Sequence, residues 1–189
     1  IELGFQIIKY GEEARINLPT FTLEGSRMSK LRQAHNRSIR EGSTFEIVPA
    51  TALDTIIDEV AAISDEWLRH KQAKEKMFSL GRFDREYLAN FETAVVRREG
   101  KIIAFANIWA TPNKAELSID LMRHGEDMPP GTMEYLFTEL ILWGQKQNYR
   151  WFTLGLAPLS GIEANRLSPV WAKAASFLFQ HGEQYYGFK

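Results

Sequence analysis

"ELSIDLMRHGEDMPPGTMEYLF", residues 116–137, reads as a strand that runs through a short loop into a helix. Alternation over 116–122 places Leu117, Ile119 and Leu121 on one face and Glu116, Ser118, Asp120 and Met122 on the other. One face is core; the other is a line of polar groups. Asp120 and Arg123 stand where the strand ends, and an acid beside a base there either pins the strand as an ion pair or carries chemistry. The pattern alone leaves both open. The loop "HGEDMPPGT" follows, with two acids and two prolines, before a helix from Thr132 to about Gln147. Met133, Leu136, Phe137, Leu140 and Trp143 give that helix one apolar face.

Just upstream, "TAVVRRE" and "KIIAFANIWA" are strands joined by turns at Glu99-Gly100 and at Thr111 to Asn113, so three strands form an antiparallel meander. Downstream, "RWFTLGLAP" is a further strand, followed by a loop, a helix from Ser168 to about Gln180 and a last strand "EQYYGF". The first half of the chain is organised differently. "FQIIKYGEEARINLP" is two strands turning at Gly11; "EGSRMSKLRQAHNRSIREG" is a helix capped by Ser26 and stopped by Gly42; "TFEIVP" is a short strand. Residues 50–70 form a helix whose stripe Leu53, Ile56, Val60, Ile63 and Trp67 is core, and "DREYLANF" is a short helix. The order implies an α/β (α+β) fold, a mostly antiparallel mixed sheet flanked by helices.

A chain of 189 residues, 44% hydrophobic and 12% aromatic, buries a sizeable core. Its net charge of -1 argues against a whole-surface anionic partner, so any phosphate-binding surface is a local patch. The absence of cysteine excludes disulfides, thiolate metal sites and a Cys nucleophile. His35, His70, His124 and His181 lack metal-ligand spacing, so no metal is expected. No apolar run reaches the roughly 20 residues of a membrane-spanning helix, so the piece is expected to be soluble. It opens at Ile1 without a Met and ends in a strand-like run without a closing turn, which reads as part of something longer.

A meander, a loop into a long helix and then a strand resembles the GNAT acyltransferase fold. There the loop before the helix is glycine-rich, because backbone N–H groups at the helix start hold the pyrophosphate of coenzyme A. In "HGEDMPPGT", Glu126 and Asp127 repel such a group, and Pro129 and Pro130 remove two donors. Acetyl-coenzyme A is therefore not the expected donor. "GKIIAFANIWATPNKAELSIDLMRHGEDMPPGTMEYLFTELILWGQKQNYRWFTLGLAPLSGIE", with "EGSRMSKLRQAHNRSIREG", "EKMFSLGRFD" and "HGEQYYGFK" in the same order, resembles the C-terminal catalytic domain of the bacterial multiple peptide resistance factor family. Its members are phosphatidylglycerol lysyltransferases and alanyltransferases with a GNAT-like fold.

The resemblance covers nearly the whole chain. It implies transfer of an aminoacyl group from aminoacyl-tRNA to phosphatidylglycerol, without a cofactor, in a domain at the cytoplasmic face of the bacterial inner membrane, attached to a membrane-embedded part of the same protein. It also implies tandem GNAT-like units. Residues 1–42 would be the tail of a preceding unit plus a basic connecting helix, and 43–189 a C-terminal GNAT-like domain truncated at its end. Which amino acid is carried is left open.

Transesterification between a ribose ester and a lipid hydroxyl needs positioned substrates, proton management and an oxyanion stabiliser. Within the family, Asp120 and Arg123 fall on the block that carries essential residues. Asp120 is expected to hold the α-ammonium or to take the lipid hydroxyl proton, and Arg123 to serve an anionic group. Glu116 and Ser118 share the polar face. Ser160 and Glu163 in "LSGIE", with Lys76 and Ser79 in "EKMFSLGRF", are candidate substrate-binding residues, and Phe78 and Phe83 either line that pocket or plug the core. The helix after Ser26 bears Arg27, Lys30, Arg32, Arg37 and Arg40, a patch suited to the phosphates of a tRNA or of anionic lipid. A solvated charged face is the alternative. The rival functions are a Fem-like aminoacyl-tRNA transferase acting on peptidoglycan precursor and a non-catalytic module that binds tRNA or anionic lipid. Trp109, Trp143, Trp151 and Trp171 are expected in the core.

Overall fold

The structure, a computed structural model, describes residues 11–71, 81–158 and 160. The chain divides into two compact units, residues 16–153 and residues 1–15 with 154–189. Six strands make one sheet in the order β1-β6-β5-β4-β3-β2, where β1 is Gly11–Asn17, β2 Thr44–Val48, β3 Thr93–Arg98, β4 Lys101–Ala110, β5 Glu116–His124 and β6 Trp151–Pro158. The ladders β2–β3, β3–β4 and β4–β5 are antiparallel, and β5–β6 is parallel over Glu116–Ser118 with Trp151–Thr153. The expected mixed, mostly antiparallel sheet is present. Glu99 and Gly100 both have positive φ (52° and 79°), the geometry of a tight two-residue hairpin between β3 and β4.

Helices cover both faces of this sheet. On one side α4 (Thr132–Lys146) packs with α1 (Ser29–Arg40) and the 3-10 helix Leu18–Thr20, burying Leu18, Ala94, Val96, Ala106, Ile108, Leu117, Leu136, Leu140 and Phe152. On the other, α2 (Ile57–His70) and the short α3 (Arg85–Leu88) bury Leu53, Ile56, Val60, Ile63, Val95, Phe105 and Leu121. Two apolar faces explain why β3 is buried along Thr93–Val96 rather than alternating.

Several boundaries move from their sequence-based places. α1 begins at Ser29 rather than after Ser26, whose carbonyl instead accepts from the Ser29 N–H in a turn, while Gly42, at φ +83°, ends it as expected. The segment 50–70 splits into a 3-10 helix, Ala50–Thr55, and α2, because Ile56 leaves helical geometry between them (φ -125°, ψ -6°). Asp84 caps α3, its carboxylate accepting the Tyr87 N–H at 2.9 Å. The strands expected before Gly11 and after residue 182, and the helix over 168–180, lie outside the described residues.

Candidate functional site

The centre of β5 breaks the alternation expected of it. β4 and β5 pair Ala106 with Met122 and Ile108 with Ile119, so one residue of β4, Asn107, stands opposite two of β5, Asp120 and Leu121. This is a β-bulge. Asn107 is fully buried and its side chain holds the bulge: Oδ1 accepts from the N–H of Asp120 at 3.2 Å and of Leu121 at 2.7 Å. Two backbone donors that the ladder would otherwise leave empty are thereby satisfied.

The bulge re-aims the side chains beyond it. Leu117 and Ile119 face the α4 side, but Leu121 belongs to the α2 side, so the single apolar face expected for Leu117, Ile119 and Leu121 is corrected to two. Asp120 and Arg123, three positions apart and thus on opposite faces of a regular strand, both reach the α2 and α3 side. There the Asp120 Oδ2 accepts from the Tyr87 hydroxyl at 2.7 Å, and that hydroxyl accepts from Trp109 Nε1 at 3.1 Å. An indole N–H only donates and a carboxylate only accepts, so the chain Trp109 to Tyr87 to Asp120 has one direction. Burial first, then the hydrogen bond and charge of Asp120, push the Tyr87 phenol up to about 12. Tyr87 therefore remains a donor at every ordinary pH.

Among the described residues, three water-shielded polar atoms here lack a hydrogen-bond partner: Asp120 Oδ1, Asn107 Nδ2 and Thr93 Oγ1. They lie in register across three strands, Thr93 opposite Asn107 and Asn107 opposite the bulge. Phe91 joins the aromatic side of the cluster, 4.9 Å from the Tyr87 ring and 6.1 Å from that of Trp109. Unmet donors and acceptors side by side in a desolvated place are an unusual expense for a fold and mark a candidate binding site.

Arg123 is 3% exposed and reaches into α2. Its guanidinium donates to Ser64 Oγ at 2.6 Å and to the Gly81 carbonyl at 3.3 Å, and it stacks over Trp67 at 4.9 Å. Gly81 in turn abuts the site: at φ +82°, a Cβ there would stand 3.1 Å from the Asp120 carbonyl oxygen. Arg123 thus braces the segment beside Asp120. Among the described residues its partners are a hydroxyl, carbonyls and an aromatic ring.

Of the other expected residues, Ser118 donates to the Thr153 carbonyl at 3.1 Å and ties β5 to β6, and the Glu116 N–H is taken by Thr111 Oγ1 at 2.8 Å. Both are half-buried on β5. Ser160 belongs to the unit of residues 1–15 and 154–189, where its hydroxyl meets Glu12 Oε2 at 3.3 Å. Lys76, Ser79, Glu163, Phe78, His181 and Trp171 lie outside the described residues. Phe83 packs against the α2-side core. Trp109, expected as plain core, is half-buried and spends its N–H on Tyr87.

The five cations of α1 and its approach separate. Arg32 donates to the carbonyls of Leu23 and Gly25 and fixes the approach to the helix, and Arg37 bonds Glu41 at 2.8 Å, holding that carboxyl below its ordinary range. Arg27, Lys30 and Arg40 are exposed and form no hydrogen bond or ion pair among the described residues. The same helix covers the start of α4. Ala34 sits 3.4 Å from where a Cβ on Gly131 would be, and His35 Nε2 meets Glu139 Oε1 at 2.8 Å. In the loop before α4, the Glu126 N–H is already donated to Glu66 Oε1 at 2.8 Å. An anion at this helix start would meet a carboxylate and a covered terminus rather than a nest of free donors. Among the described residues no group of His, Asp and Glu is placed to hold a metal ion.

Comparison with known proteins gives the site a context. A family model described as "Phosphatidylglycerol lysyltransferase, C-terminal" matches residues 1–189. The phosphatidylglycerol lysyltransferase of Bacillus subtilis is 38% identical over 99% of the chain, and that of Staphylococcus xylosus 33% over 98%. The chain spans 22% of the length of each. The crystal structure of the C-terminal domain of a putative lysylphosphatidylglycerol synthetase from Agrobacterium fabrum superposes with a TM-score of 0.80, at 40% identity, over 94% of this chain and 53% of that one. For L-PGS from Bacillus licheniformis the TM-score is 0.77, at 41% identity, over 90% and 53%.

Proposed function

Because the chain belongs to the phosphatidylglycerol lysyltransferase C-terminal family, we propose that it catalyses transfer of an aminoacyl group from aminoacyl-tRNA to the glycerol hydroxyl of phosphatidylglycerol. The glycerol oxygen bonds to the ester carbonyl carbon, the bond to the tRNA ribose oxygen breaks, and the hydroxyl proton passes to that ribose oxygen. One ester replaces another, so the step needs no cofactor. The product carries an added ammonium group and lowers the negative charge of the membrane, which weakens its attraction for cationic peptides.

The observation that carries this reading is the bulge at Asp120 and Leu121, which sets among buried polar atoms a carboxylate with one oxygen unmet by any described residue. Asp120 binds the amino group of the donor or receives the lipid proton. Arg123 fixes the strand end and the segment at Gly81 against which Asp120 sits. Exposed Arg27, Lys30 and Arg40 meet phosphates. In the whole protein the domain works at the cytoplasmic face of the membrane, joined to a membrane-embedded part; among the described residues no helix is long and apolar enough to cross a membrane. The amino acid carried is lysine, alanine or another residue in this reading.

The test is to supply the full-length protein with phosphatidylglycerol vesicles and tRNA charged with labelled lysine or alanine. Label in the lipid supports the reading. Label in a peptidoglycan precursor instead identifies a Fem-like transferase, and tRNA binding without transfer identifies a binding module.

A further inference from the structure

Asp120 has two carboxylate oxygens in different circumstances. Oδ2 is occupied by the Tyr87 hydroxyl, whose own lone pair is engaged by Trp109. Oδ1 is shielded from water and has no partner among the described residues, although the backbone beneath it is fixed by the two hydrogen bonds into Asn107. A fully buried Asn107 that spends Oδ1 on the bulge has a set orientation, which directs its Nδ2 away from those N–H groups. The residue, its rotamer and its backbone are thus all constrained, and one acceptor oxygen remains.

We propose that Tyr87 and Asn107 are positioning residues that hold Asp120 as a one-oxygen receptor for a primary ammonium group. A fixed negative charge with a positioned acceptor oxygen suits a cation with N–H donors, since the ammonium satisfies Oδ1 by a charge-assisted hydrogen bond. The inference rests on the reading of Asp120 as the donor-binding group, and it chooses ammonium binding over proton removal. It adds Tyr87 and Asn107, which the reading does not need.

Calorimetric titration of the full-length protein with L-lysine methyl ester, and with its diacetylated neutral counterpart, tests it. The parent binds the amine and not the acetylated ester. Tyr87→Phe, which keeps the ring and loses only the hydroxyl, weakens binding about tenfold. Asp120→Asn weakens it about a hundredfold, and the double variant matches Asp120→Asn within about twofold, because Tyr87 acts through the carboxylate. Equal binding by Tyr87→Phe and the parent overturns the proposal. So does the same tenfold loss in the Asp120→Asn background, equal affinity for the acetylated ester, or no binding by the parent. Transfer assayed on the same proteins separates the two claims: the binding pattern without transfer refutes the proposed function and leaves the receptor standing.

Discussion

Asn107 does more for this site than any residue that chemistry alone would single out. An amide in the apolar run "IIAFANIWA" is the only trace the bulge leaves in the sequence. Period-two reading has no means of placing an extra residue, because a bulge is a property of two strands together. Hence Asp120 was legible as a candidate and its shared face with Arg123 was not. Tyr87 was likewise hidden in the short helix "DREYLANF", 33 positions from its partner. Replacing Asn107 by Ala leaves the N–H groups of Asp120 and Leu121 without their acceptor in a buried strand. Loss of about 2 kcal/mol or more is expected in chemical denaturation. A variant as stable as the parent would mean that the bulge does not depend on this side chain.

The sequence pattern specifies elements more securely than their ends. The meander and α4 follow from strong periodicity and from turn residues at Glu99-Gly100, whereas the split at Ile56 and the late start of α1 are set by tertiary packing that local pattern does not encode. The parallel β5–β6 pairing fits the helix α4 between them, which crosses over the sheet. α4 lies close to β5 because residue 144 is glycine: a Cβ there would stand 2.7 Å from Leu117 Cδ2 and 3.1 Å from Leu18 Cδ1. Gly144→Ala is expected to destabilise by about 1–3 kcal/mol, read as a lower midpoint in urea, and an unchanged midpoint would show that α4 shifts freely. In α1, charge reversal at Arg27, Lys30 and Arg40 should weaken tRNA binding and flatten its salt dependence by roughly 0.7–0.9 in log–log slope per lost phosphate contact. Arg32→Ala instead loosens the approach held through Leu23 and Gly25, and its main effect is expected on stability.

For the whole molecule, burial sets the alkaline limit. Tyr87 and Tyr135 are pushed up to about 12 from 10.0, in both cases chiefly by burial, and Tyr149 is raised as well. A phenol that holds its proton more tightly when folded contributes stability that is complete below pH 10 and is lost as pH rises through about 12. Stability measured between pH 8 and 12.5 should fall in that window, and Tyr135→Phe should make the fall shallower. The larger question is whether a fold whose α4 start is covered by α1, and whose preceding loop gives its N–H to Glu66, serves a charged tRNA and a lipid in place of coenzyme A. The most direct measurement is transfer of labelled amino acid from charged tRNA to phosphatidylglycerol by the full-length protein, beside its Asp120→Asn variant with matched thermal stability. The account predicts labelled lipid from the parent and at least about a hundredfold less from the variant. Undiminished labelling by Asp120→Asn, or no labelled lipid from the parent, would contradict it.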